Sequence, residues 1–74
     1  MPRLRVFSAG ELCAVLEEHG FSEVRRRGSH IVIQRRLGEK TMTIPVPNHK
    51  EIRRGTLQSI IRQSGLPREL FEIE

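Results

Sequence analysis

The chain has little of what many small stable proteins rely on. Its 74 residues contain one cysteine, Cys13, three phenylalanines and no tryptophan or tyrosine. A single cysteine excludes an internal disulfide and is typical of a reducing compartment. The single cysteine and the three scattered histidines do not form the usual ligand pattern of a structural zinc site. The scarcity of aromatic residues argues against recognition of single strands by base stacking, which needs exposed rings.

Long apolar runs are also missing. No stretch approaches the ~20 apolar residues of a membrane span. The first residues, MPRLRVFSAGEL, lack the apolar core of a signal peptide. We therefore expect a cytoplasmic protein with no membrane partner. A chain of this length folds as one domain with a thin core, so we expect an open site, with no cofactor, no metal and no small-molecule ligand.

Positive charge is concentrated in the middle of the chain. The formal net charge is +4, and residues 21–55 hold nine Lys and Arg against three Glu, whereas each flanking segment has a net charge of −1. A regional basic field suits a polyanion, because neutralising phosphates releases counterions. A basic face kept only for solubility normally mixes both signs. The distribution favours a nucleic-acid partner.

The hydrophobic pattern predicts the order helix, strand, strand, strand, helix. In SAGELCAVLEEHG, Ser8 is a suitable N-cap, Glu11 completes a capping box and Gly20 ends the helix. FSEVRRR, SHIVIQRR and TMTIPV are predicted strands, and Pro45 marks the last as an edge strand or a strand end. GTLQSIIRQSG is the second helix, with Thr56 as its expected cap, and LPRELFEIE adds one helical turn.

This order predicts an α+β domain over residues 1–74, with a three-stranded antiparallel sheet. Two short helices cannot cover both faces of such a sheet, so we expect both on one face and the other face open to solvent. Strand alternation turns Ile31 and Ile33 toward the helices. The open face then receives the residues that alternate with them: His30, Val32, Gln34 and Arg36.

His30 is the leading candidate for chemistry, since it follows a Gly28–Ser29 turn within a run of arginines. Histidine exchanges protons near neutral pH, and RNA cleavage needs a base for the 2′-hydroxyl and an acid for the 5′-oxygen. Gly28 would let a ribose–phosphate backbone approach closely, and nearby arginines can stabilise charge on the phosphorane. The alternative is an exposed histidine without a catalytic role.

Other reactive residues are weaker candidates. His49, in the PNHKE loop, can complete an acid–base pair if that loop folds over the sheet, and is otherwise solvated. His19 is predicted to be structural, near a helix C-terminus. Cys13 is predicted to be half-buried, with nothing beside it that would lower a thiol pKa. Ser29 and His30 point to opposite faces, which excludes a hydrolase dyad.

Four short motifs occur in a fixed order between Val6 and Phe71: Gly20–Phe21, Gly28–Ser29–His30, Pro45 and Gly55–Thr56–Leu57. In this arrangement the chain resembles the HicA family, the small toxins of bacterial HicA–HicB toxin–antitoxin pairs. The resemblance implies a fold similar to a double-stranded-RNA-binding domain. It also implies metal-independent cleavage of messenger RNA, which a HicB antitoxin blocks. The family's catalytic histidine corresponds to His30, whereas the match at His49 is too loose to transfer a role.

Three functions remain open at this point. The first is an endoribonuclease toxin with His30 as general acid or base and with its second acid or base unassigned. The second is a non-catalytic RNA-binding module, and the third a subunit whose basic face binds an acidic protein. The residues predicted to contact RNA are Arg25, Arg27, Gly28, Ser29, Arg36 and Lys50.

Overall fold

The computed structural model describes residues 2–73 and confirms the predicted α-β-β-β-α order. Its elements are α1 (Ala9–Glu18), β1 (Ser22–Arg27), β2 (His30–Leu37), β3 (Lys40–Pro47), α2 (Arg54–Ser64) and a final 3₁₀ turn (Arg68–Phe71). The strands form one antiparallel sheet in the order β1-β2-β3. Sequence neighbours are therefore neighbours in the sheet, joined by tight hairpins.

Helix α1 begins with the predicted capping box. Ser8 Oγ accepts a hydrogen bond from Glu11 N at 3.1 Å, and Glu11 Oε1 accepts one from Ser8 N at 2.9 Å. These bonds satisfy two backbone donors that the first turn of a helix leaves without partners. Gly20, with φ of +97°, follows the C-cap residue His19, as predicted.

Helix α2 begins earlier than predicted. Thr56 is not the cap: the helix starts at Arg54, and the N-cap, Arg53, makes no side-chain cap hydrogen bond. The preceding residue, Ile52, is buried, and its N–H donates to Phe7 O at 2.8 Å. This tertiary anchor fixes where the chain enters the helix, and it outweighs the local capping preference of a threonine.

The core lies between the helices and one face of the sheet. Ile31 and Ile33 of β2 and Ile44 and Val46 of β3 are buried, whereas the residues between them are exposed or half-buried. Phe7 and Phe71 meet edge to face in this core, with ring centroids 6.0 Å apart. The helix residues buried against the strands include Leu12, Leu16, Leu57 and Ile60. Both helices therefore cover one face and leave the other open, as predicted.

Two-residue turns set the register of the sheet. Gly28–Ser29 joins β1 to β2, and Gly38–Glu39 joins β2 to β3. Gly28 has φ of +58°, and positive φ at the first turn residue alone is the pattern of a type II′ hairpin. The turn places Arg27 directly opposite His30. Since opposed residues share a face, this turn decides which arginines lie beside the histidine.

A β-bulge interrupts β1. The pairing with β2 shifts between Glu23 and Arg25, so Val24 is an extra residue, and its side chain is 49% exposed. In a regular strand, residues three apart face opposite sides. The extra residue instead brings Glu23 and Arg26 to the same face, that of the helices.

Strand β3 is an edge strand that continues through two prolines. Pro45 lies opposite Val32, and Pro47 lies opposite His30. The pair beside a two-residue turn is hydrogen-bonded, and every second pair repeats that arrangement. Counting from Lys40, the nitrogens of both prolines face away from β2, toward the free edge of the sheet.

Candidate functional site

The open face of the sheet is organised in rows of directly opposed residues. Successive rows from the Gly28–Ser29 turn are Arg27–His30–Pro47, Arg25–Val32–Pro45, Ser22–Gln34–Thr43 and Arg36–Thr41. We call the surface formed by these rows the open face. Its two rows nearest the turn each carry an arginine from β1, so positive charge borders the histidine.

His30 is exposed at the first position of β2, between Arg27 and Pro47. The Cβ atoms of directly opposed residues are about 5 Å apart, and those of diagonal neighbours about 7–8 Å. Arg27 is the direct neighbour of His30 and Arg25 the diagonal one, so both long side chains can reach a group bound at the imidazole. The Gly28–Ser29 turn is open, with no atom within 4 Å of a Cβ built on Gly28.

Two predicted contact residues lie outside the two rows nearest the turn. Arg36 is six residues along β2 from His30, which corresponds to roughly 20 Å. Lys50 is exposed in the loop that follows β3, not on the sheet. The structure therefore brings together Arg25, Arg27, Gly28, Ser29 and His30, and places Arg36 farther along β2 and Lys50 in the loop after β3.

The loop that contains His49 is tied down on both sides. Asn48 N donates to Ser29 O at 2.6 Å, so the loop starts beside the β1–β2 turn. His49 O then accepts from Ala9 N at 3.0 Å, at the first residue of α1. The His49 side chain is exposed. The loop thus connects the His30 end of the open face, where Pro47 opposes His30, with the start of α1.

Residues 9–66 match a protein-family model whose description reads "HicA toxin of bacterial toxin-antitoxin". The match spans both helices and all three strands, and so most of the chain. The chain belongs to the HicA toxin family. It is thereby placed among the toxins of bacterial toxin–antitoxin systems. A search of curated proteins found no significant match.

The middle arginine of β1, Arg26, is not on the open face of this HicA toxin. Arg26 lies opposite Ile31, on the side of the helices, and forms a two-pronged ion pair with Glu23. The Nε–Oε2 and Nη2–Oε1 distances are 3.1 and 3.2 Å. Hydrogen bonding to Glu23 raises the pKa of the Arg26 guanidinium above its usual value. The sequence run of three arginines thus divides into two on the open face and one paired behind it.

Sequence reasoning missed a polar pair on the open face. Gln34 Nε2 donates to Thr43 Oγ1 at 3.2 Å, across the β2–β3 ladder. Alternation alone placed Gln34 on this face, but only the register identifies its partner. No charged residue lies in this row, which joins Gln34 and Thr43 to Ser22.

The remaining candidates are structural in this member of the HicA family. Burial raises the pKa of the Cys13 thiol, and the carboxylates of Glu17 and Glu23 raise it further, so the thiol is neutral at pH 7. A neutral, buried thiol is a poor nucleophile. His19 Nδ1 lies 2.9 Å from Val15 O, one turn earlier in the same helix, and the ring is half-buried.

Two open depressions lie on the helix side of the molecule. One lies between the C-terminal end of α2 and the segment after it, and the other beside the N-terminal segment; neither is lined by His30. Within residues 2–73, no three side chains of His, Cys, Asp or Glu are grouped so as to hold a metal ion. No helix in that range is long and apolar enough to cross a bilayer. The candidate site is thus an exposed surface.

Proposed function

We propose that this HicA toxin is a metal-independent endoribonuclease that cleaves messenger RNA in the cytoplasm. Residues 1–74 act as one toxin domain, and His30 is the general acid or base. The observation that carries the proposal is the direct opposition of His30 and Arg27 on an exposed basic face. Histidine moves protons near neutral pH, and arginine stabilises anionic phosphorus–oxygen groups.

The reaction at this site is an internal phosphoryl transfer. The 2′-oxygen attacks phosphorus and loses its proton to a base, while the bond from phosphorus to the 5′-oxygen breaks and that oxygen gains a proton from an acid. His30 serves one of these roles, a contribution of typically ~10²–10⁴-fold. Arg27 stabilises the negative charge on the phosphorane, and Arg25, its diagonal neighbour, holds an adjacent phosphate.

The RNA backbone rather than stacked bases makes the main contacts. All three phenylalanines of the chain, Phe7, Phe21 and Phe71, are buried in the core, and the chain has no tyrosine or tryptophan, so the open face carries none of these rings. Phosphate contacts come from Arg25 and Arg27 near the histidine. Arg36, farther along β2, and Lys50, in the loop after β3, contact other parts of the RNA. Gly28 and Ser29 let the RNA backbone approach the turn. The positive field assembles these contacts and makes binding salt-dependent.

The partner acid or base and the antitoxin are two further parts of the proposal. The candidate for the partner acid or base is His49, because its loop is bonded to Ser29 beside the β1–β2 turn. The antitoxin is a HicB-like protein, and we propose that it inhibits the toxin by covering the same basic face with acidic groups. Charge complementarity of this kind accelerates association and fixes orientation.

The test is cleavage of a mixed messenger RNA by the purified chain in excess EDTA, with binding measured in parallel. We compare the wild type with His30→Ala and with His49→Ala, which tests His49 as the partner acid or base. Loss of cleavage in His30→Ala with retained binding would support the proposal. Cleavage that persists in His30→Ala would reject the assignment of His30. If all three proteins bind RNA and none of them cleaves it, a non-catalytic RNA-binding module is favoured instead.

A further inference from the structure

We propose that Gln34 and Thr43 form a base-recognition site on the open face, and that its ligand is an adenine of the bound RNA. The inference deepens the proposed function and rests on it only in that the ligand is RNA. It concerns sequence preference, whereas His30 concerns chemistry, so the two can fail separately.

The pair differs from the other side-chain contacts of the chain. In the part of the chain that the structure describes, the other hydrogen bonds between two side chains join residues three or four apart. The Gln34–Thr43 bond joins two strands, at 3.2 Å, between residues nine apart. Gln34 is half-buried and Thr43 is exposed, so the amide is held in place at the surface. Holding it there lowers the conformational entropy that binding would otherwise cost.

The fixed amide presents a defined pattern of donor and acceptor. A glutamine amide has two N–H donors and one oxygen acceptor. Thr43 accepts from one N–H, which orients the amide, and the other N–H and Oε1 are left to bind a ligand. Adenine carries an amino donor next to a ring-nitrogen acceptor, and a glutamine amide binds both at once. The other side chains of the row, Ser22 and Thr43, are hydroxyls, so the row itself carries no charge, and the nearest arginines of the open face, Arg25 and Arg36, lie in the rows on either side.

The pair lies two rows from His30 on the open face. The row between His30 and Gln34 is Arg25–Val32–Pro45, so the two strands nearest the pair offer hydrocarbon beside the amide. Gln34 is four residues from His30, or about 13 Å along the strand. A backbone held at Arg25 and Arg27 would therefore direct a base that flanks the cleaved bond onto Gln34. Single-stranded bases expose the edges that such contacts read.

The experiment selects RNA by binding, so that it does not depend on cleavage. A pool of short RNAs with randomised positions is bound to His30→Ala protein, and the retained RNA is sequenced. We expect adenine to be enriched at one position, by roughly 5- to 150-fold, the range given by one bidentate base contact. Gln34→Met in the same background removes the amide and should abolish the enrichment. Thr43→Val removes the hydroxyl and should reduce it.

Gln63→Met is the matched control. Gln63 Nε2 donates to Ser59 Oγ at 3.1 Å on helix α2, a bond of the same kind away from the open face. This variant should keep the full adenine preference. Gln34→Arg provides a gain of function, since a guanidinium binds guanine, and it should move the preference to that base.

Each outcome separates this inference from the proposed catalysis. Enrichment that is unchanged in both Gln34→Met and Thr43→Val, or no enrichment at all, would overturn the recognition site. Cleavage by the wild type without any base preference would overturn it as well, and would leave the endoribonuclease proposal standing. Adenine enrichment in a protein that never cleaves RNA would support the site while rejecting catalysis. A failure to bind RNA would reject both.

Discussion

Glu23 and Arg26 form an ion pair on one face of β1 although they are only three residues apart, because the bulged Val24 lies between them. The pair holds Arg26 on the helix side. Arg25 and Arg27, on the opposite face, form no ion pair within residues 2–73. The bulge and the turn thus distribute three consecutive arginines between a structural contact and a free basic surface.

The first prediction compares Arg27→Gln with Arg26→Gln. Both remove one positive charge, at adjacent positions, but only Arg27 lies on the open face. We expect Arg27→Gln to weaken RNA binding and to reduce the slope of log K against log[salt] by about 0.7–0.9. Arg26→Gln should change that slope little, and should change the free energy of unfolding only slightly, because its ion pair with Glu23 is exposed to solvent. Fluorescence anisotropy over a salt series measures the binding, and equal slopes would contradict the assignment of faces.

The second prediction concerns two glycine-to-alanine substitutions that should change the stability in opposite directions. Gly28→Ala forces a side chain into positive φ, which costs about 1–2 kcal/mol of stability. Gly55→Ala, inside α2 and with nothing within 4 Å of the added Cβ, should stabilise the fold by about 0.5–1 kcal/mol. Urea unfolding measures both changes. A Gly28→Ala protein as stable as the wild type would show that the turn does not require this conformation.

The third prediction tests the capping box of α1. Ser8→Ala should cost about 1 kcal/mol of folding free energy, because Glu11 N loses its acceptor. The stability that the capping box contributes depends on pH because Glu11 titrates. Hydrogen bonds from the backbone and side chain of Ser8 lower the Glu11 pKa in the folded state. This contribution is present above the unfolded-state pKa and is lost as the pH falls through the lower folded-state value.

Urea unfolding of wild type and Glu11→Gln over an acidic pH series measures that contribution. The glutamine keeps an acceptor for Ser8 N but does not titrate, so its stability should fall less than that of the wild type as the pH decreases. Parallel pH curves for the two proteins would contradict the role given to the Glu11 carboxylate.

The fourth prediction concerns the reactivity of Cys13. The thiol is buried and its pKa is raised, so little thiolate is exposed near neutral pH. A disulfide reagent should react slowly with the native chain and rapidly after unfolding. Val6→Cys in a Cys13→Ala background is the comparison, since Val6 is 69% exposed. Equal rates at the two positions would mean that Cys13 is accessible in the folded state.

Most of the fold could be predicted because local and tertiary signals agree. The capping box at Ser8 and Glu11 is local, and the alternation around Ile31 and Ile33 reports which face is buried. The start of α2 could not be predicted from Thr56, since a tertiary hydrogen bond fixes the preceding chain. Local preference is informative only where no distant contact overrides it.

The candidate site was partly predictable for a similar reason. His30 could be placed on the open face from alternation in β2. The faces of the three arginines in β1 could not be read from their own pattern, because consecutive identical residues carry no alternation and Val24 forms a bulge. The Gln34–Thr43 contact depends on the register between strands, which the sequence reveals only once the turn is known.

The two prolines of β3 limit how the sheets of two protein molecules can associate edge to edge. A strand from a second molecule could extend the sheet only by pairing with outward N–H groups along this edge. At Pro45 and Pro47 no such group exists, since proline nitrogen has no hydrogen to donate. The edge therefore cannot act as a template there, and natural proteins use this device to prevent aggregation. The open face can thus stay available to ligands without strands of other molecules adding to the sheet at this end of the β3 edge.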